Sequence, residues 1–292
     1  SLNNCAGYYS PLSDDKTALK AGDVAKIELA AHVSGFVAEA ATTVCVGEAA
    51  EGDKKRVITA GYTALQDVIA KLQPGVQCSD ITAAVQAVCK AHDVKAVETI
   101  VSRNMERYII DGPKYIYNSD EKADDIVVEE NDVWNLDIVL TTGPNHMVER
   151  DARTTVFKRN VDETYILKMK TSVMILRESN TKFPTFPFSL RQFDSESKAK
   201  MGIVEMAKHN LVEPYTVVFD KDGYISQFKA TVLVKKDGPV VLTPIPAPFP
   251  EAEKKESSTV SYCYRSMARH DASSAATSSV CHDPEASMTT GS

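Results

Sequence analysis

Between Asp23 and Val44 apolar and polar residues alternate with a period of two, the signature of a strand pair with one covered face. Ala25, Ile27 and Leu29 share one side and Lys26 and Glu28 the other; after His32-Val33-Ser34-Gly35 the run from Phe36 to Val44 returns, so residues 23–47 are predicted to form a β-hairpin. Over 54–72 the period becomes helical: Val57, Ile58, Tyr62, Leu65, Val68, Ile69 and Leu72 recur at three- and four-residue spacing, and Pro74-Gly75 ends the run. A second helix is predicted over about 80–92, capped by Ser79 or Asp80, with Ile81, Val85 and Val88 inward. Strands are predicted at 132–140 and 154–158, and again at 215–219 and 225–234, the last two joined by a turn at Asp222-Gly223. A helix near 196–210 carries Met201, Val204 and Met206. From about residue 251 Ser, Ala and Thr dominate and the periodicity stops, which predicts a disordered tail over 251–292.

With 292 residues, 43% hydrophobic and 25% charged, the chain can bury a sizeable core without disulfides or metals. Its net charge of -7 argues against a domain built mainly to grip nucleic acid, so any RNA contact must use a local basic patch. The six cysteines (Cys5, Cys45, Cys78, Cys89, Cys263 and Cys281) show no CxxC spacing and read as reduced packing thiols of a cytosolic or nuclear protein. No apolar run reaches membrane-spanning length and no signal peptide is visible, so no membrane partner is expected.

The hairpin carries the first candidate chemistry. With the turn centred between Val33 and Ser34, Glu28 and Glu39 stand directly opposite on one face. At about 5 Å and an effective dielectric of about 20 their repulsion is roughly 3 kcal/mol, to be relieved by a metal, a proton or a cation. The other reading is a solvated face carrying two carboxylates.

The stretch Lys26-Ile27-Glu28-Leu29 through Gly35 to Glu39-Ala40-Ala41 resembles the first metal-ligand hairpin of the methionine aminopeptidases, and Ser1-Leu2-Asn3-Asn4-Cys5 resembles the segment ahead of it. Later blocks are similar to the proliferation-associated (ErbB-receptor-binding) proteins: Ile110-Asp111-Gly112-Pro113-Lys114, Arg153-Thr154-Thr155-Val156-Phe157-Lys158-Arg159 and Gln227-Phe228-Lys229-Ala230-Thr231-Val232-Leu233 among them. The likeness runs in order over about residues 1–248. It implies an α/β (α+β) pita-bread fold, a curved antiparallel sheet with flanking helices. One such domain is expected over 1–250, with an inserted helical or loop segment at about 160–214 and with the family's preceding stretch missing.

In the active relatives two Asp, one His and two Glu hold two divalent metals that activate water. Carried over by resemblance, the two Asp match Glu28 and Glu39, the His matches Arg103, and the two Glu match Asp137 and Lys229; two cleft histidines match Tyr8 and Asp111. Arginine offers a metal no lone pair, and an ammonium repels a dication. The resemblance therefore implies a pseudo-enzyme without catalytic residues, metal or cofactor. It further implies an ion-pair network in which Arg103 and Lys229 neutralise Glu28, Glu39 and Asp137, the alternative being independent drift into a wet cleft.

The same resemblance implies RNA or ribosome binding, a part in ribosome maturation and translation control, and a cytoplasmic and nucleolar location. Protein partners and a monomeric state are also expected. The family's lysine-rich tail has no counterpart here, which shifts the candidate RNA contacts to Lys158, Arg159, Lys168, Lys170, Lys182, Arg191, Lys198 and Lys200, interleaved with Phe183, Phe186 and Phe188, the alternative being a packed phenylalanine loop and solvated lysines. Two further classes stay open: a peptide- or protein-binding module reusing the old cleft, and an active metallo-aminopeptidase with unusual ligands.

Overall fold

In a computed structural model of the protein, which describes residues 1–119, 126–150 and 152–249, the first hairpin closes on Ser34-Gly35. Both residues have positive φ, 52° and 89°, the two-residue turn whose twist matches that of the strands it joins. It links β1 (Val24–Val33) to β2 (Phe36–Cys45) with Val33 opposite Phe36. This corrects the expected register. Glu28 stands opposite Ala41 and Glu39 opposite Ala30, so the two carboxylates are diagonal neighbours on one face. The turn lies one residue later than the Glu spacing suggested, because the Ser34-Gly35 pair supplies the left-handed geometry.

The chain continues through α1 (Gly52–Lys71), α2 (Cys78–His92), β3 (Lys95–Ala96), β4 (Val101–Met105), β5 (Tyr115–Tyr117), β6 (Val133–Thr141), β7 (Met147–Glu149) and β8 (Val156–Arg159). Then come α3 (Lys170–Lys182), β9 (Phe188–Ser189), a 3-10 turn at Leu190–Gln192, α4 (Glu196–Lys208), β10 (Val212–Pro214), β11 (Val218–Asp220), β12 (Ile225–Lys235) and β13 (Gly238–Val241). All lie in the first of two units, Ser1–Pro248; the tail predicted to be disordered, 251–292, falls outside the described residues.

The main sheet runs β1-β2-β12-β6-β4-β5, with β13 added on β12 and β3 on β6. The named pairings are antiparallel. From Leu136 to Thr141 every residue of β6 is buried, as befits a central strand covered on both faces. Helix α1 covers the face that carries Phe228: a Cβ at Gly61 would lie 2.6 Å from Ser226 Oγ, so only glycine lets the helix come this close. Helices α3 and α4 rest on a second core that includes Phe157, Ile175, Phe188, Phe193 and Met206.

Two other expectations change, and one helix appears that periodicity did not show. β11 does not form a hairpin with β12 through Asp222-Gly223 but pairs with β7. The buried carboxylate of Asp220 causes this, accepting from Thr141 Oγ1 (2.7 Å) and from the backbone amides of Asn145 and His146 (3.0 Å each), which ties β11 to the loop after β6. α2 begins at Cys78, and neither Ser79 nor Asp80 caps it; its first amide donates to the Ile126 carbonyl instead. The periodicity did not show α3 because two of its inward residues, Ser172 and Ser179, are small and polar. Cys5, Cys45, Cys78 and Cys89 are free thiols. No helix among the described residues is long and apolar enough to cross a membrane.

Candidate functional site

One face of the main sheet gathers the charged residues, and the register explains why. β12 runs between β2 and β6, with Lys229 opposite both Ala41 and Asp137. Directly opposed residues share a face, so Lys229, Asp137, Glu28 and Glu39 project to the same side. The Lys229 ammonium meets all three carboxylates: Asp137 Oδ2 at 3.0 Å, Glu39 Oε2 at 3.2 Å, and Glu28 Oε1 in close contact. The lysine side chain is only 7% exposed. Two amides complete the shell, Asn135 Nδ2 donating to Glu39 Oε2 (2.8 Å) and Gln227 Nε2 donating to Asp137 Oδ1 (3.0 Å).

One ammonium among three carboxylates makes an uneven balance. Burial alone would lower the Lys229 pKa, but Asp137, then Glu28 and Glu39, outweigh it and hold the lysine well above its ordinary value. Asp137 moves upward, chiefly because it is buried and further because Glu28 is near, while Lys229 opposes the shift. The two directions agree physically: the shared cation is well supplied with partners, and the deepest carboxylate is short of one. Tyr8 faces the same charges. Its hydroxyl is pushed up to about 12, first by burial and then by the Asp137 carboxylate. Its ring packs edge-on against Tyr215, with centroids 5.0 Å apart.

Residues 1–156 match metallopeptidase family M24. Proliferation-associated protein A of Dictyostelium discoideum is 36% identical over 263 residues, covering 87% of this chain and 68% of that protein. The chain belongs to family M24, in its proliferation-associated branch. ERBB-3 binding protein 1 of Solanum tuberosum is 38% identical over 244 residues, covering 82% of this chain and 63% of that protein. Among solved structures, a thermophilic Arx1 superposes with a TM-score of 0.77 at 26% identity, covering 88% of this chain and 79% of that one. The fold is accordingly the pita-bread fold of the M24 proteins. The chain spans between 63% and 68% of the length of these two curated relatives.

Of the other positions carried over by resemblance, Tyr8 faces the Lys229 cluster, whereas Arg103 and Asp111 pair elsewhere. Arg103, expected as the cluster's second cation, pairs with none of the three carboxylates. It sits on β4, across from Asn135, and its guanidinium carbon lies 5.9 Å from the centre of the Tyr115 ring. β6 separates it from β12, and the aromatic face takes the charge instead. Asp111 forms an ion pair with Lys158. That removes Lys158 from the free basic patch, and several other candidates are also engaged. Arg159 donates to the Leu211 carbonyl and Arg191 to the Pro11 carbonyl. Lys182 pairs with Glu178 and Asp194, and Lys200 with Asp14 and Glu196. Lys168, Lys170 and Lys198 are exposed and have no ion pair among the described residues. Phe183, Phe188 and Phe193 pack on one another, and Phe186 is buried. The rings therefore follow the packed-loop alternative: Phe183, Phe188 and Phe193 serve the second core, and Phe186 packs against His32 and Tyr108.

Sequence reading did not single out Lys26. Alternation placed it beside Glu28, yet it is 4% exposed, covered by residues 1–4, and donates to the carbonyls of Asn3 (2.8 Å) and Ile225 (3.2 Å). Nor did it single out Gln227 and Asn135, whose roles depend on partners 90 and 96 residues away. Among the described residues, no three or more His, Cys, Asp or Glu side chains are arranged to hold a metal ion.

Proposed function

We propose that this M24 protein has lost the aminopeptidase reaction and acts by binding RNA or the ribosome, with a part in ribosome maturation and translation control in the cytoplasm and nucleolus. One observation carries the loss of catalysis: a lysine ammonium lies where Glu28, Glu39 and Asp137 converge. By resemblance, those positions and Lys229 itself supply metal ligands in the methionine aminopeptidases. The donor set here does not fit a pair of divalent ions. The carboxylate oxygens that would bind metal already accept from a fixed cation, Arg103 has no lone pair to offer, and Tyr8 and Asp111 replace the cleft histidines. Purified protein incubated with manganese or cobalt is expected to retain no stoichiometric metal by elemental analysis. It is also expected to hydrolyse a methionyl peptide no faster than buffer does. Turnover with bound metal would refute the reading.

The RNA part rests on the proliferation-associated relatives and on the three exposed lysines of the inserted segment, Lys168, Lys170 and Lys198. Each phosphate contact releases counterions, so affinity falls with salt, by a slope of about 0.7 per neutralised phosphate on single strands. Changing all three lysines to alanine should weaken binding to a structured ribosomal RNA fragment and reduce the salt slope by about 2. Fluorescence anisotropy across a potassium chloride series measures both. Weak wild-type binding that ignores salt would remove RNA as the partner.

A further inference from the structure

Helices α3 and α4 present an outward surface that a solvated helix pair does not need. Along α4 the residues away from the core are Ser197, Met201, Val204 and Lys208, at spacings of four, three and four; along α3 they are Lys170, Met174, Arg177 and Thr181, at the same spacings. Met201 is 60% exposed, Val204 63% and Met174 38%. The helices pack closely, since a Cβ on Gly202 would lie 2.8 Å from Ile175 Cγ1, and both stripes lie on the sides turned away from that contact.

Charge on these stripes is one-sided. Neither contains an acid, although the protein as a whole carries -7. The glutamates of the two helices are all turned to internal work. Glu178 binds Lys182 and the Asp194 amide, Glu196 binds Lys200 and Ser13, and Glu205 accepts from the amides of Lys168 and Met169. Lys170, Arg177 and Lys208 have no ion pair among the described residues and flank the apolar side chains.

We propose that this face docks an amphipathic α-helix of a partner protein, aliphatic on one side and flanked by Asp or Glu. Methionine is unbranched and polarizable, which suits a surface that must fit an incoming helix. The unpaired cations select an acidic partner. Each twelve-residue stripe spans eleven rises of 1.5 Å, about 16 Å, the reach of about three helical turns. RNA fits less well: phosphates would engage the cations but leave Met174, Met201 and Val204 without a role, and none of them is an aromatic ring on which a base can stack. The inference goes beyond the RNA-binding reading and does not depend on it: the two share Lys170, and Met201 and Val204, which offer phosphate nothing, tell them apart.

The test uses the full chain and a fluorescein-labelled synthetic helix with a leucine stripe flanked by glutamates, beside a twin carrying lysines instead. Fluorescence anisotropy should show the acidic helix binding at least about tenfold more tightly than the basic twin, a difference of about 1.4 kcal/mol. Met201→Ser with Val204→Ser, and separately Lys170→Glu with Lys208→Glu, should each weaken binding about tenfold. All four positions are exposed, so thermal unfolding should stay unchanged and serves as the control. Equal affinity for the two helices, or indifference to both double variants, overturns the proposal. So does a structured RNA fragment that binds this face while the acidic helix does not, since that result assigns the surface to nucleic acid.

Discussion

Replacing Lys229 with alanine is expected to lower folding stability by about 3–5 kcal/mol at neutral pH, the cost of leaving buried charge without its partner. Glu28, Glu39 and Asp137 share this one ammonium, and only amide donors would remain to hold Glu39 and Asp137. For a domain of this size the melting temperature should fall by roughly 10 °C, readable by calorimetry or circular dichroism. The deficit should shrink toward acid, because Asp137 already holds its proton more tightly than a free carboxyl does and protonation discharges the cluster. Adding Asp137→Asn to Lys229→Ala should recover part of the loss. A Lys229→Ala protein as stable as the parent would show that the carboxylates are solvated and that the network contributes nothing.

Lys26 is expected to dominate the pH dependence of stability between pH 7 and 9. Burial pulls its pKa from 10.5 to about 7, against a smaller upward pull from Cys5. Between those two values the unfolded chain holds a proton that the folded chain has released. Raising the pH therefore penalises the unfolded state, and stability rises. Each pKa unit is worth 1.36 kcal/mol, so two pH units in this window add on the order of 2–3 kcal/mol. The Ser1 amine, whose pKa burial and then Lys26 lower from 8.0, adds to the rise below pH 8 and persists in a Lys26 variant; other shifted groups act elsewhere. Lys229 keeps its stabilising charge until the pH passes well above 10.5, and Cys78 and Cys89, raised to about 11, erode stability only above their unfolded value of 9.0. Denaturant unfolding at pH 7 and pH 9 should show the rise in the parent and a smaller one in Lys26→Met. An identical slope in both proteins would mean that Lys26 stays charged in its pocket.

Part of the cleft was legible from residue types and spacing, and the rest from the family resemblance. Strand alternation placed Glu28 and Glu39 on one face, and the later blocks pointed to Asp137 and Lys229 as their companions. The limits have physical causes. Period two determines which face a residue occupies, but the offset between two strands depends on the turn. Ser34-Gly35, with both φ values positive, moved Glu39 from opposite Glu28 to a diagonal position. The basic candidates show the same limit at longer range. Lys158 reads as free charge along the chain, yet it is neutralised by an acid far away in sequence, Asp111.

Local pattern by itself determined the hairpin and the first two helices, and the family resemblance supplied the five matched positions with their charge types. Only the tertiary structure decided which charge meets which. It inserted β12 between β2 and β6, so that Lys229 reaches three carboxylates while Arg103, one strand further out, turns to an aromatic ring. It also folded residues 1–4 over Lys26 and removed that amine from water. The reason is range. Side-chain direction follows from neighbours one or two residues away, whereas burial and ion pairing depend on strands separated by tens to hundreds of residues, which meet only when the sheet is assembled.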